Sequence, residues 1–422
     1  MRRALAASLC WLAACNTPPP PPAIEEELTL AALALREGRL EEAGERVDAV
    51  RRREPRHVVA AQWQATIASL SWRDEAAVAA QQAAIRAARS AGWSAAAVAD
   101  LEGRLGELLF QAGRYGDSVP FLVAGAIGAA SARRRAFATV ATRLSPLLQV
   151  SGPLLSEQPL LPGDVPEFAC GVDERQRPFA IDTGTSMTTV SRSFADELGV
   201  AEQHAAGAAL DSAGRELPVA VGVLPRFRVG DLELGAVPVL IADDAAMQLR
   251  DFHGGVERVP RGVLGLDLLA VCRMTIDPER GSVVLQRATG LPEASSIACV
   301  RADGRCLLPV FVEGVRLWFV LDTGASHSSL TAAGVDALPG GAGRTVPSFR
   351  RVRTVGGGLV AVREVRDLVL RCSEVRFQGV TLPVVPRGAA TVFPVHGVLG
   401  IDLLGRCRVT LDRGRARLQA VP

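Results

Sequence analysis

The feature that most constrains this chain is a stretch that occurs twice, Phe179-Ala180-Ile181-Asp182-Thr183-Gly184-Thr185-Ser186 and Phe319-Val320-Leu321-Asp322-Thr323-Gly324-Ala325-Ser326. In each copy a short apolar run, the pattern of a buried strand, stops at Asp-Thr-Gly, where the chain turns. An ionised carboxylate at the end of a buried strand is costly unless something satisfies it. Two in equivalent settings satisfy one another by sharing a proton, so the two copies are expected to meet face to face.

The duplication extends further. Gly262-Val263-Leu264-Gly265-Leu266-Asp267-Leu268-Leu269 follows the first Asp-Thr-Gly, and Gly397-Val398-Leu399-Gly400-Ile401-Asp402-Leu403-Leu404 follows the second. Behind them come Cys272-Arg273-Met274-Thr275-Ile276-Asp277 and Cys407-Arg408-Val409-Thr410-Leu411-Asp412. Around these motifs the chain has short apolar runs, many Val residues and frequent Gly and Pro, an all-β texture. We divide it into a first lobe, residues 167–290, and a second, 291–422.

This combination resembles the retropepsin-like aspartic proteases, as a bacterial relative with two lobes fused in one chain and forming one pseudo-twofold unit. The resemblance implies that Asp182 and Asp322 are catalytic and that Thr183 and Thr323 each reach across to the opposite loop. It also implies that Leu264, Gly265, Leu399 and Gly400 pack under the catalytic loops. Gly184 and Gly324 permit the turn and the close approach of backbone to carboxylate, and Thr185, Ser186 and Ser326 complete the support. We expect the Thr185 hydroxyl to bond Asp182 and make it the base, since Ala325 has no such group. His327 reads as an incidental loop residue. Flap tips are expected at Ala213 and Gly214 in the first lobe and at Gly356, Gly357 and Gly358 in the second. The chain departs from the family pattern twice. Its single Tyr, Tyr115, lies outside the lobes, and Gly-Leu-Asp and Gly-Ile-Asp stand where retroviral enzymes have Gly-Arg-Asp or Gly-Arg-Asn.

The chemistry follows from the pair. Two carboxylates within hydrogen-bond reach do not both ionise, so one pKa falls and the other rises. The ionised member takes a proton from water as general base while the protonated one donates to the substrate carbonyl. No cofactor or metal is required, and the cysteines lack metal-ligand spacing. The competing reading keeps the fold for peptide capture, with little catalysis and the helices as the working surface. Two buried carboxylates favour the enzyme. The short connection from about Leu285 to Val300 favours pairing of the lobes within one chain, a monomeric catalytic unit.

Residues 24–144 are rich in Ala, Leu, Arg and Glu at helical spacing. The segments beginning Arg36-Glu37-Gly38-Arg39, Leu70-Ser71-Trp72-Arg73 and Gln111-Ala112-Gly113-Arg114 look alike. Their spacing resembles tetratricopeptide repeats, near 34 residues for the first step and longer for the second; a plain helical bundle is the alternative. The region has no catalytic constellation and is expected to hold a protein partner or orient substrate. Residues 145–166, rich in Pro, Gly and Leu, read as a linker.

At the N-terminus a basic start and an apolar run end in Leu12-Ala13-Ala14-Cys15, which resembles a bacterial lipobox. It implies a signal peptide over 1–14, a lipid on Cys15 and a Pro-rich tether over 15–23; an ordinary signal peptide cleaved nearby is the alternative. Asn16, rather than Asp, points to the outer membrane, facing the periplasm. Six cysteines remain (Cys170, Cys272, Cys299, Cys306, Cys372 and Cys407), and Cys299 with Cys306 could staple a hairpin. Cys272 and Cys407 sit at matching positions as small buried hydrophobes. The formal net charge of +2 over 422 residues gives no ground for nucleic acid as a partner. The expected partners are peptide or protein substrates.

Overall fold

The computed structural model describes residues 22–144, 155–163, 165–172, 175–200, 203–210, 216–247, 261–269, 272–353, 359–385 and 392–421. Cys15, the signal peptide, most of the tether and the expected flap tips at 213–214 and 356–358 lie outside the described residues. The chain divides into two compact units, Met1–Thr142 and Arg143–Pro422.

The first unit is helical: α1 (Pro22–Arg36), α2 (Leu40–Arg53), α3 (Val58–Leu70), α4 (Asp74–Ser90), α5 (Ala95–Gln111), α6 (Tyr115–Ala124) and α7 (Ser131–Ala141). The three look-alike segments form the same turn. Gly38, Trp72 and Gly113 have positive φ, and the next residue in each turn closes it by donating its N–H five residues back. These bonds run from Arg39 to Ala34, Arg73 to Ala68 and Arg114 to Leu109, at 2.8, 2.9 and 2.9 Å. That is the helix stop in which a left-handed residue lets the chain satisfy otherwise orphaned carbonyls. Acidic residues open the following helix each time (Glu41 and Glu42, Asp74 and Glu75, Asp117), where the helix dipole favours them. Apolar faces of α3, α4 and α5 meet over Val58, Val78, Ile85, Leu101, Leu105 and Leu109.

The second unit is built from strands. In chain order they are β1 (Leu155–Pro159), β2 (Glu167–Val172), β3 (Arg175–Ile181), β4 (Thr189–Ser191), β5 (His204–Leu210), β6 (Glu216–Val229), β7 (Leu232–Ala242), β8 (Gly262–Leu264), β9 (Cys272–Asp277) and β10 (Ser282–Arg287). The second half continues with β11 (Ile297–Ala298), β12 (Val300–Ala302), β13 (Arg305–Val312), β14 (Val315–Leu321), β15 (Ser329–Thr331), β16 (Val346–Arg353), β17 (Leu359–Cys372), β18 (Val375–Val385), β19 (Gly397–Leu399), β20 (Cys407–Asp412) and β21 (Arg415–Ala420). The first lobe's sheet runs β2-β3-β8-β4-β7-β6-β5, and the second lobe's runs β12-β13-β14-β19-β15-β18-β17-β16. Pairing of β2 with β6 and of β13 with β17 folds each sheet back on itself. Part of the segment read as a linker is thus a strand: β1 adds to the edge of β10.

A third sheet, β1-β10-β9-β20-β21-β11, joins the lobes. At its centre β9 and β20 run antiparallel, with Thr275 opposite Thr410 and their hydroxyls 3.1 Å apart. Two ion pairs repeat across that point: Arg273 Nε to Asp412 Oδ2 and Arg408 Nε to Asp277 Oδ2, each 2.7 Å. The tail motif seen twice in the sequence is therefore the seam between the lobes. Cys272 and Cys407 are buried at the starts of these central strands. All six described cysteines are free thiols; Cys299 and Cys306 lie within hydrogen-bond reach of each other but are not bridged.

The seam pairs differ from pairs such as Arg89–Glu102, whose Arg is exposed and which contribute about 0–1 kcal/mol. Asp412 is fully buried, so removing its cation strands a charge, at about 3 kcal/mol. We expect Arg273→Met to lower the unfolding free energy by roughly that amount in urea titrations, and Arg89→Met to leave it nearly unchanged.

Candidate active site

The site forms where β3 and β14 end. Apolar residues drive these strands into the two lobe cores: Phe179, Ile181, Phe319 and Leu321 are fully buried. Each strand lies parallel to the short strand of its lobe's second motif, Ile181 beside Leu264 and Leu321 beside Leu399. The Asp182 N–H donates to the Leu264 carbonyl and the Asp322 N–H to that of Leu399, both at 3.0 Å. Gly265 and Gly400 lie directly under the loops. A Cβ on Gly265 would fall 2.4 Å from the Met187 carbonyl carbon, and one on Gly400 2.6 Å from that of His327. Only a residue without a side chain lets the second element come so close.

The two loops interlock through their threonines. Thr183 Oγ1 donates to the Leu321 carbonyl at 2.6 Å and accepts from the Thr323 N–H at 3.1 Å. Thr323 Oγ1 donates to the Ile181 carbonyl at 2.7 Å and accepts from the Thr183 N–H at 3.1 Å. Both side chains are almost completely buried, so four bonds in a low-dielectric setting fix one loop against the other.

This lock brings the two carboxylates together. A Cβ on Gly184 would lie 2.4 Å from Asp322 Cγ, and one on Gly324 2.5 Å from Asp182 Cγ. Each carboxylate thus rests on the opposite loop's glycine, while neither glycine has positive φ. The glycines are needed for close approach rather than for an unusual turn. The Gly184 N–H donates to Asp182 Oδ1 at 2.7 Å. Asp322 Oδ1 accepts from the N–H groups of Gly324 and Ala325 at 3.0 and 2.9 Å.

Burial pushes the Asp182 carboxyl well above the usual carboxylate range, and the neighbouring Asp322 charge adds to this. Burial also raises Asp322, but a hydrogen bond from Asp182 and the N–H groups of Ala325 and Gly324 favour its charge. Burial therefore raises both carboxyls, and the pair is placed to share one proton. Besides Gly184, it is the Thr185 backbone N–H that acts on Asp182. Ser186 and Ser326 are exposed beyond the turn.

Sequence reasoning missed the acids that brace the loops. Asp267 Oδ1 accepts from the Thr188 N–H and hydroxyl at 2.8 and 2.9 Å. Asp402 Oδ1 accepts from the Ser328 N–H and hydroxyl at 2.8 and 2.7 Å. Each hydroxyl also accepts a backbone N–H, from Gly265 to Thr188 and from Gly400 to Ser328. The signal was present: both acids recur in the Gly-Val-Leu-Gly-x-Asp-Leu-Leu motif, and a hydroxyl residue follows each Asp-Thr-Gly at the same offset. These carboxylates hold the loops where Arg-based support is absent.

Replacing Thr183 by Val leaves the Leu321 carbonyl and the Thr323 N–H without their partner; we expect a loss of roughly 3 kcal/mol in unfolding experiments, largely restored in Thr183→Ser. Burial raises the Asp267 pKa from 3.8 to about 6 against the hydrogen bonds from Thr188 and Leu268. The folded protein then binds this proton more tightly than the unfolded chain, so Asp267 makes stability fall as pH rises from about 4 to 6. Urea midpoints across that window should decline less steeply in Asp267→Asn than in the wild type.

The aspartyl protease family model matches residues 169–268 and again 308–403, one match in each lobe. Among solved structures, the chain is similar to a retropepsin-like aspartic protease from Rickettsia conorii, with 19% identity and a TM-score of 0.24 over 33% of this chain and 96% of that one. It is also similar to Basic 7S globulin from soybean, with 14% identity and a TM-score of 0.35 over 64% of this chain and 97% of that one. No curated protein matches. The two-lobed part of the chain thus matches the aspartyl protease family twice, once in each lobe, and each match contains an Asp-Thr-Gly loop.

Proposed function

We propose that this protein is an aspartic endopeptidase whose catalytic pair is Asp182 and Asp322. The observation that carries the reading is the mutual placement of the carboxylates, each against the other loop's glycine, under a reciprocal threonine lock. Ionised Asp322 takes a proton from the attacking water, and its oxygen bonds to the scissile carbonyl carbon. Asp182 gives its proton to the carbonyl oxygen, forming a neutral diol. Collapse breaks the C–N bond as the proton on Asp322 passes to the departing nitrogen and a diol proton returns to Asp182. Both carboxylates then stand as they began.

Because the chemistry uses the singly protonated pair, activity is bounded by two apparent pKa values that belong to the pair. Burial raises Asp182 well above the carboxylate range, so the alkaline limb of the pH profile is expected above that range.

The lipobox-like Leu12-Ala13-Ala14-Cys15 supports a lipid-anchored enzyme on the outer membrane facing the periplasm. The helix-turn-helix unit then serves to orient protein substrates or to hold a protein partner, and the catalytic unit works as a monomer. Each assignment has its own test: palmitate labelling that depends on Cys15, and proteolysis by the chain from residue 145 onward compared with that from residue 22.

The deciding experiment follows cleavage of an unfolded protein over a pH series. Asp182→Asn and Asp322→Asn are each expected to lose at least about 10³-fold in kcat/KM without loss of folding. Equal cleavage by wild type and both variants would leave a peptide-binding module.

A further inference from the structure

The two lobes differ at one position that faces the carboxylates. In the second lobe β13 and β14 pair Leu307 with Val320, and continuing this register by two steps sets Arg305 opposite Asp322. In the first lobe β2 and β3 pair Glu167 with Ala180, and the same two steps set Val165 opposite Asp182. Residues opposite each other on antiparallel strands share a face. The second lobe therefore carries an arginine at this place, whose charge acts on Asp322, where the first lobe carries a valine.

The hairpin that presents Arg305 is fixed against the site. Its two-residue turn, Asp303-Gly304, has positive φ at both positions, as a tight hairpin requires. Gly304 touches the first lobe's catalytic loop: a Cβ there would lie 2.3 Å from Ser186 Cβ. The turn of one lobe thus packs on the Asp-Thr-Gly-Thr-Ser loop of the other. Arg305 is only loosely engaged elsewhere: its guanidinium lies 4.0 Å from the Asp303 carboxylate, and both side chains are more than one-third exposed.

We propose that Arg305 is a positioning residue that orders the pair, making Asp322 the charged member and base and leaving the proton on Asp182. This deepens the catalytic reading above and rests on it. Arg305 favours the charge on Asp322, whereas the charge acting on Asp182 is that of Asp322, which favours its protonated form. Of the other charged groups on these elements, Asp303 faces Arg305 itself and is raised by burial against the Arg305 charge. It weakens the cation's reach without cancelling it, because its own carboxyl is partly protonated as pH falls. Solvent at Arg305 keeps the effect modest.

The test compares wild type, Arg305→Gln and Arg305→Lys in the chain from residue 22 onward. The side-chain carboxyl carbons of Asp182 and Asp322 are titrated by ¹³C NMR, assigned with the two Asp→Asn variants, and a pH–rate profile is recorded beside them. In the wild type the lower apparent step is expected at Asp322. In Arg305→Gln that step and the acid limb of kcat/KM should move up together by about half to one pH unit, and Arg305→Lys should retain most of the wild-type position. An unmoved lower step in Arg305→Gln, or a wild-type lower step at Asp182, overturns the proposal. Cleavage that ignores both Asp→Asn variants overturns the catalytic reading instead, and the titration still decides the role of Arg305.

Discussion

The structure depends on four hydrogen bonds between Thr183 and Thr323 and the backbones they face. Two carboxylates held together in a site that raises both their pKa values repel unless they share a proton. Sharing one requires that the loops not drift apart. The threonine lock supplies that constraint, because letting go would leave buried donors and acceptors without partners. The costly pair and the fold that tolerates it are thus one arrangement, and the aspartates have no comparable reason to meet without it.

Support for the lock is layered in the same twofold pattern. Directly beneath, Gly265 and Gly400 bring the second motif against the loops, and Asp267 and Asp402 tie it to Thr188 and Ser328. Further out, the six-stranded sheet joins the lobes through Thr275 and Thr410 and through the crossed pairs of Arg273 with Asp412 and Arg408 with Asp277. The lock and the sheet cross between the halves, so a shift of one lobe would break contacts in both, while the middle layer ties each loop within its own lobe. The energies decide which contacts matter here. The seam carboxylates are buried and lose much when stranded, while most arginine pairs on the helical unit are exposed and exchange one hydrated partner for another.

The twofold pattern is not exact beside the carboxylates. In a perfectly equivalent pair neither carboxylate would be favoured to hold the proton. Gly184 and Thr185 act on Asp182 as Gly324 and Ala325 act on Asp322, and Arg305 acts on Asp322 as well. The difference in side-chain hydroxyl, Thr185 against Ala325, is the more visible one in the sequence. Yet the bonds to Asp182 come from backbone N–H groups, which any residue at that position would provide.

Much of this was legible in the residues themselves. Apolar runs ending in Asp-Thr-Gly, a second motif in the same order, and a matching tail determine a duplicated β unit with one acid per half. The turn signals at Gly38, Trp72 and Gly113 likewise determine where helices stop, since both are local patterns of burial and backbone conformation. What only the tertiary structure decided were relations between distant segments: that β1 leaves the linker to join the interlobe sheet, that Asp267 and Asp402 brace loops 79 and 74 residues away, and that the Arg305 charge acts on Asp322. A sequence lists which groups are present. Which of them face one another across a strand pair or between lobes depends on register and packing, and those are settled by the whole core at once.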